Sequence, residues 1–308
     1  MKFDYAPAPE STSVVDIKAS YDLFIDGEFQ AGHGTSFKTI NPATEEALAE
    51  IATADEADID RAVKAARKAY DKVWGPMSGT ERAKYLFRIA RIIQERSREL
   101  AVLESLNNGK PIKESRDFDI PTAAAHFFYY AGWADKLEYG GFGTQPLGVA
   151  AQVIPWNFPF LMATWKLTMA LVTGNTIVLK PSPETPLSAL VLARLVLETR
   201  IPRGVVNVVV APGRSVGEQL VRHPAVDRVA FTGSTTVGNT LSQSFVVHNG
   251  AYSSSLHLTG VPKVTVADRD AAGRRAIEQP DEIEQRGLAR AGRSDERREF
   301  AALERQVD

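Results

Sequence analysis

The sequence predicts an α/β fold, a parallel sheet wrapped on both faces by helices, and three observations carry that prediction. From Leu147 onward the chain holds four short β-branched runs, "LGVAAQVI", "NTIVLK", "GVVNVVV" and "DRVAF". Between them lie "LMATWKLTMALVTG", "LSALVLARLVLETR" and "VGEQLVRH", whose apolar residues recur at helical spacing. Composition is the third: 308 residues at 44% hydrophobic and 24% charged suit a globular chain with a substantial core. Strands alternating with helices build covered parallel sheets, and such sheets take ligands in the crevice beyond their strand carboxyl ends.

The elements follow in order. "MKFDYAPAPESTSVVD" places acids and prolines where a secretory signal needs an apolar core, so residues 1–20 are expected to form a loosely ordered arm of a cytoplasmic protein. "YDLFIDGEFQAGHGTSFKTINPAT" alternates apolar and polar residues around Asp26-Gly27, the pattern of a hairpin. Helical spacing covers Asp58–Val73 and Thr80–Asn107, and Asn108-Gly109 stops the second helix. A third helical run, Pro121–Leu137, carries "HFFYYAGW", whose aromatics read as core packing. The domain is expected to span residues 21–241. From about Ser242 the alternation fades. About half of Asp268–Asp308 is charged, with arginine as its only base, so residues 242–308 are expected to be a disordered or helical tail, with helices at Glu278–Arg290 and Ser294–Val307.

Several classes are disfavoured at once. A formal net charge of −2 commits the chain neither to nucleic acid nor to an anionic membrane. No apolar run approaches the roughly 20 residues of a membrane span. There is no cysteine, which removes disulfides, thiolate metal sites and any cysteine nucleophile. The five histidines lack metal-ligand spacing, so no metal is expected.

Four candidate loops, around Asn157, Lys180, Ala211 and Gly233, fall at predicted strand ends, and three of them carry candidate chemistry. In "VIPWNFPF" (Val153–Phe160) Pro155 and Pro159 stiffen a stretch with one amide, Asn157. That is either a buried turn or a preorganised hydrogen-bond donor. "LKPSPETP" puts Lys180 at a strand end, either as a donor to ribose or phosphate or as a plain surface lysine. "FTGSTTVG" (Phe231–Gly238) opens a helix whose free N–H groups attract anions. Its G-x-x-x-x-G spacing lacks the Lys-Ser/Thr of a nucleotide-triphosphate loop, since Asn239-Thr240 follows, and G-x-G-x-x-G is absent too.

The ordered run "PLGVAAQVIPWNFPFLMATWKLTMALVTGNTIVLKPSPETPLSA", "IPRGVVNVVV" and "HPAVDRVAFTGSTTVG" resembles the NAD(P)-dependent aldehyde dehydrogenases. So do the upstream "FIDGEF", "INPATEEALAEIATADEADIDRAVKAAR" and "ESLNNGKPIKESR", a likeness spanning roughly Tyr21 to Leu241. The resemblance implies a Rossmann-like cofactor domain, incomplete because the carboxy-terminal catalytic part is absent. It implies that Ile154, Pro155, Trp156 and Asn157 line the nicotinamide end, with the Asn157 amide donating to the substrate oxyanion. One such donor is typically worth about 2.7–4 kcal/mol. It assigns Lys166 either a proton-relay or a structural role, and Lys180 the adenosine ribose. Gly233 and Ser234 would lie under the pyrophosphate, and Ser182, Pro183, Glu184, Gly213, Phe231, Thr232 and Val237 complete the implied cofactor contacts. The resemblance implies NAD or NADP as cofactor, NAD slightly favoured, a small-molecule aldehyde as the parent family's substrate, and room for homo- or hetero-oligomers.

The chain departs from the family pattern in places. Pro183 stands where the family often has a ribose-binding glutamate, and Glu184 follows it. "EYGGFGTQ" is shorter than the usual arm hairpin, and Ala211 replaces a common glycine, leaving Gly213 of that pair. No cysteine is present to form the thiohemiacetal, and no Glu-Leu-Gly-Gly segment to activate water. "KVTVADRD" (Lys263–Asp270) only echoes the strand before that glutamate. Three readings result: a truncated oxidoreductase inactive alone, a nucleotide-binding or oligomer-modulating module pairing with full-length relatives, or the product of a frameshifted gene.

Overall fold

A computed structural model describes residues 11–137, 145–249 and 257–259. The chain enters through β1 (Ser20–Tyr21), β2 (Leu23–Ile25), β3 (Glu28–Gln30), β4 (Gly34–Ile40) and β5 (Ala47–Thr53). β2 and β3 are the expected hairpin. Asp26 and Gly27 have φ of 52° and 74°, the two positive values of a two-residue turn matched to strand twist. β1, β5 and β4 form a small separate sheet.

α1 (Glu56–Ala69) starts earlier than its apolar spacing predicts because Asp55 caps it. The Asp55 carboxylate accepts from the Asp58 N–H at 3.0 Å, and Asp58 accepts from the Asp55 N–H at 3.2 Å. The helix then widens into a turn over Tyr70–Trp74 that buries Trp74. The single helix expected over Thr80–Asn107 is two, α2 (Gly79–Glu95) and α3 (Ser97–Asn108). The break falls at Arg96, whose guanidinium reaches Glu198 with two bonds of 3.0 and 2.6 Å. Gly109 closes α3 at φ 82°. After one turn, α4 (Ile112–Glu114), comes α5 (Ile120–Ala131). It ends short of Leu137 because Gly132 caps it, and turns follow.

The strand–helix alternation is as expected: β6 (Val149–Val153), α6 (Pro159–Val172), β7 (Thr176–Lys180), α7 (Leu187–Glu198), β8 (Val206–Val208), α8 (Ser215–Arg222), β9 (Arg228–Thr232) and α9 (Thr235–Asn249). It does not fade at Ser242. α9 continues to Asn249, and β10 (His257–Thr259), where "LHLT" alternates, pairs parallel to β9. The remainder of the expected tail, its two helices, the Lys263–Asp270 echo and the short arm after Leu137 lie outside the described residues.

The main sheet runs β10-β9-β6-β7-β8-β2-β3, parallel from β10 to β8, with β2 antiparallel to β8 and β3. Asn207 ties the hairpin on: its side chain accepts from the Asp26 N–H at 2.9 Å and donates to the Ile177 carbonyl at 3.0 Å. Strand alternation sorts the helices by face. On one face Thr176 donates to the Ala66 carbonyl of α1, and α1 packs on α8. On the other, Gln152 donates to the Lys166 carbonyl of α6. α6 and α7 lie under α2, α3 and α5. The core runs through both layers, with Phe24, Leu86, Phe127, Phe160, Leu179 and Leu195 buried.

Candidate functional site

Chain order fixes where a crevice opens. From β6 the chain builds outward to β7 and β8, then returns to place β9 and β10 on the other side of β6. The order therefore reverses between β6 and β9, the position at which open α/β sheets take ligands. Val153 pairs with both Lys180 and Phe231, so three strands end at one level. The loop after β6 carries Ile154, Pro155, Trp156, Asn157 and Phe158. It stands between the turn Gly233-Ser234 after β9 and the Pro181–Glu184 segment after β7.

Ile154 is buried and its N–H donates to the Lys180 carbonyl at 3.2 Å, which anchors the loop's root. Trp156 and Asn157 are exposed, Trp156 at 57%. Within "VIPWNFPF" Ile154 and Pro159 are buried, whereas Asn157 is exposed at the reversal point. On the flanking turn Phe231 is buried, Thr232 and Gly233 are half-buried and Ser234 is exposed. A Cβ on Gly233 would come 2.5 Å from the tip of the Phe231 ring, so a larger residue there would have to displace that ring. The Ser234 hydroxyl accepts from the Val237 N–H at 3.4 Å and starts α9.

Lys180 is 5% exposed, and burial lowers its pKa while Glu184 opposes the shift. Its Nζ donates to the Pro181 carbonyl at 3.3 Å. The aliphatic stem lies against α8, where a Cβ on Gly217 would contact Lys180 Cδ at 3.6 Å. The Ser182 hydroxyl donates to the Glu184 carboxylate, and Pro183 between them is half-buried. Gly213, exposed on the loop after β8, has φ 74° and open space where a Cβ would project. Exposed positions therefore lie on the loops after all four strands: Asn157 after β6, Glu184 after β7, Gly213 after β8 and Ser234 after β9.

Lys166 stands apart from Lys180. Gln152 and Val153 point to opposite faces, and they associate with Lys166 and Lys180 respectively, so the two lysines lie on opposite sides of the sheet. Lys166 is 9% exposed, about 10 Å along α6 from its start. Burial, and secondarily the Arg228 charge, lower its pKa to about 8.

The site has a back wall whose roles the sequence reading did not assign. Glu104 on α3 is fully buried. One oxygen accepts from the Phe160 N–H at 3.2 Å, and the other accepts the Ser188 hydroxyl. Burial pushes its pKa up to about 7 against those two bonds. The Asn107 side-chain Oδ1 accepts from the Leu187 N–H at 3.1 Å, and the Asn108 side-chain amide donates to the Trp156 backbone carbonyl at 2.5 Å. Lys110 stands 4.1 Å from the Phe158 ring centroid and pairs with Asp119 at 2.5 Å, both nearly water-free. The available signal was the "ESLNNGK" string, polar residues at one-turn spacing on a helix with buried neighbours. A separate group, His33, Asp55 and Asp58, has donor atoms within 4.8 Å of one another. Asp58 already serves the α1 cap and Arg61 at 2.5 Å, so the group reads as a cap network.

Known proteins match this chain over the same region. The sequence profile of the Aldehyde dehydrogenase family matches residues 29–279. Aldehyde dehydrogenase family 2 member B4, mitochondrial, of Arabidopsis thaliana is 46% identical over 231 residues, 71% of this chain and 43% of that protein. Retinal dehydrogenase 2 of Homo sapiens is 40% identical over 276 residues, covering 85% and 53%. Among solved structures, the NAD+ complex of an aldehyde dehydrogenase from Bacillus cereus superposes with a TM-score of 0.72 at 41% identity, over 78% of this chain and 51% of that one. The chain spans about half the length of the curated relatives it matches.

Proposed function

The chain belongs to the aldehyde dehydrogenase family, and on that premise we propose that it holds NAD or NADP across the crevice between β6 and β9. The observation that carries this reading is the reversal of strand order there, bordered by the exposed Asn157 amide and by the Gly233-Ser234 start of α9. The bound cofactor supplies a hydride acceptor. Around it the Lys180 ammonium donates to ribose hydroxyls and the α9 N–H groups face the pyrophosphate. Asn157 donates to an aldehyde oxygen as it gains charge, and Pro155 and Pro159 keep that amide from relaxing. The Glu184 carboxylate near Lys180 repels a 2′-phosphate, which favours NAD over NADP.

Aldehyde oxidation by this 308-residue polypeptide alone is not part of the proposal. It contains no cysteine to take the carbonyl carbon, and loss of a catalytic nucleophile has cost about 10⁶ in kcat in a serine enzyme. The test is thermal unfolding with each nucleotide, followed by incubation with aldehydes. Saturation at 100 times Kd should add about 2.7 kcal/mol, more readily with NAD than NADP, and no NADH should form. A melting temperature unmoved by either nucleotide overturns the binding proposal, and aldehyde-dependent NADH from pure protein overturns the inactivity.

A further inference from the structure

Glu104, Asn107 and Asn108 sit at i, i+3 and i+4 of α3 and so share one face. Together they hold the chain at both loops that border the crevice. Glu104 accepts from the N–H of Phe160, the second residue of α6, and from the hydroxyl of Ser188, the second residue of α7. Asn107 accepts from the N–H of Leu187, the first residue of α7. Asn108 donates to the Trp156 carbonyl, which also takes the Thr185 hydroxyl at 3.4 Å from the segment after β7. The loop bearing Asn157 and the segment bearing Ser182, Pro183 and Glu184 are thus fastened to one rigid helix from behind. Their outer edges remain open.

We infer that the carboxy-terminal turn of α3, through Glu104 and Asn108, sets the spacing between the loop after β6 and the segment after β7, and so matches the two ends of a bound dinucleotide to each other. The inference rests on the cofactor reading above. Glu104 and Asn108 are positioning residues that touch no ligand. Asn107 and Thr185 complete the brace, and Lys110 against the Phe158 ring presses the loop from the same side.

A ligand that spans two subsites gains affinity only when their separation fits it, whereas a ligand of one subsite is indifferent to that separation. The experiment therefore compares NADH, which spans both loops, with AMP, which engages the Lys180 side alone. Both are titrated calorimetrically into the whole chain and into Asn108→Ala, Glu104→Ala and Glu104→Gln. Asn108→Ala should weaken NADH about fivefold and Glu104→Ala about tenfold while AMP affinity moves less than about twofold. Glu104→Gln, which keeps an acceptor for the Phe160 N–H, should recover most of the loss. Parallel losses of NADH and AMP, or NADH affinity unchanged in Asn108→Ala, overturn the inference, and because that variant removes only a half-buried amide it decides the matter if Glu104→Ala fails to fold. Wild-type protein binding neither nucleotide would refute the cofactor reading itself, and the spacing role with it.

Discussion

A carboxyl group stripped of water, as Glu104 is, ties the proton balance of the molecule to its stability. Its pKa is raised from an ordinary 4.5 to about 7 by burial, with Ser188, Phe160 and Lys110 opposing the shift and Asp119 adding to it. Between those values the native state keeps a proton that the unfolded chain has released, so stability falls as pH rises through that window and levels off above it. The full effect is about 3–4 kcal/mol at most. Melting temperatures from about pH 5 to 8 should therefore decline for the wild type relative to Glu104→Gln; superimposable profiles would show that Glu104 ionises normally. Lys110 and Asp119 give a second expectation at this scale. Lys110→Met leaves a carboxylate 1% exposed without its cation and should cost about 3–5 kcal/mol in urea unfolding, largely restored by adding Asp119→Leu. A single-mutant cost near zero would mean the carboxylate has found water. Asn157 stood out in the sequence as an isolated amide between two prolines, and it is exposed on the loop after β6. Glu104 did not stand out, since a glutamate in a helix announces solvent unless the neighbouring helices are known.

At the scale of elements, punctuation decided what could be read. Asp26-Gly27 specified its hairpin because so few dipeptides tolerate two positive φ values. Replacing Gly27 by alanine would add strain and a 2.8 Å approach to Arg203, so a loss of about 1–3 kcal/mol is expected in denaturant melts. The Asp55 cap of α1 is comparably testable: Asp55→Ala should cost about 1 kcal/mol. An unchanged midpoint in either variant would contradict the local account. The break at Arg96 escaped prediction because no glycine or proline marks it. It is held by a partner 102 residues away, Glu198, and long-range partners leave no trace in local periodicity. β10 was missed for a related reason, being three residues long and defined by pairing with β9.

For the whole molecule, the order of strands is what turns a common architecture into a site. Alternating runs of β-branched and helical residues made the layers readable, but the return of β9 to the far side of β6 is a choice of topology that the pattern alone leaves open. Loops remote in sequence thereby meet: Asn157, Ser182 and Ser234 belong to segments after three different strands that finish level. Among the described residues no helix is long and apolar enough to cross a membrane. A cleft assembled from several loops should also unfold as one with the sheet. Nucleotide saturation is expected to shift a single cooperative transition rather than a minor phase, and a biphasic melt in which only the first step responds would contradict this.

Trp156 gives the protein a lamp of its own. Its carbonyl is clamped from two sides while the residue as a whole is 57% exposed, one position from Asn157. Trp74, by contrast, is sealed in the core and blind to events at the strand ends. Arrival of a flat aromatic ring beside Asn157 should dim the Trp156 indole, and a reduced nicotinamide, which absorbs where indoles emit, should dim it further. Emission from Trp156→Phe would supply the blank, so that light from one side chain reports occupancy without any turnover.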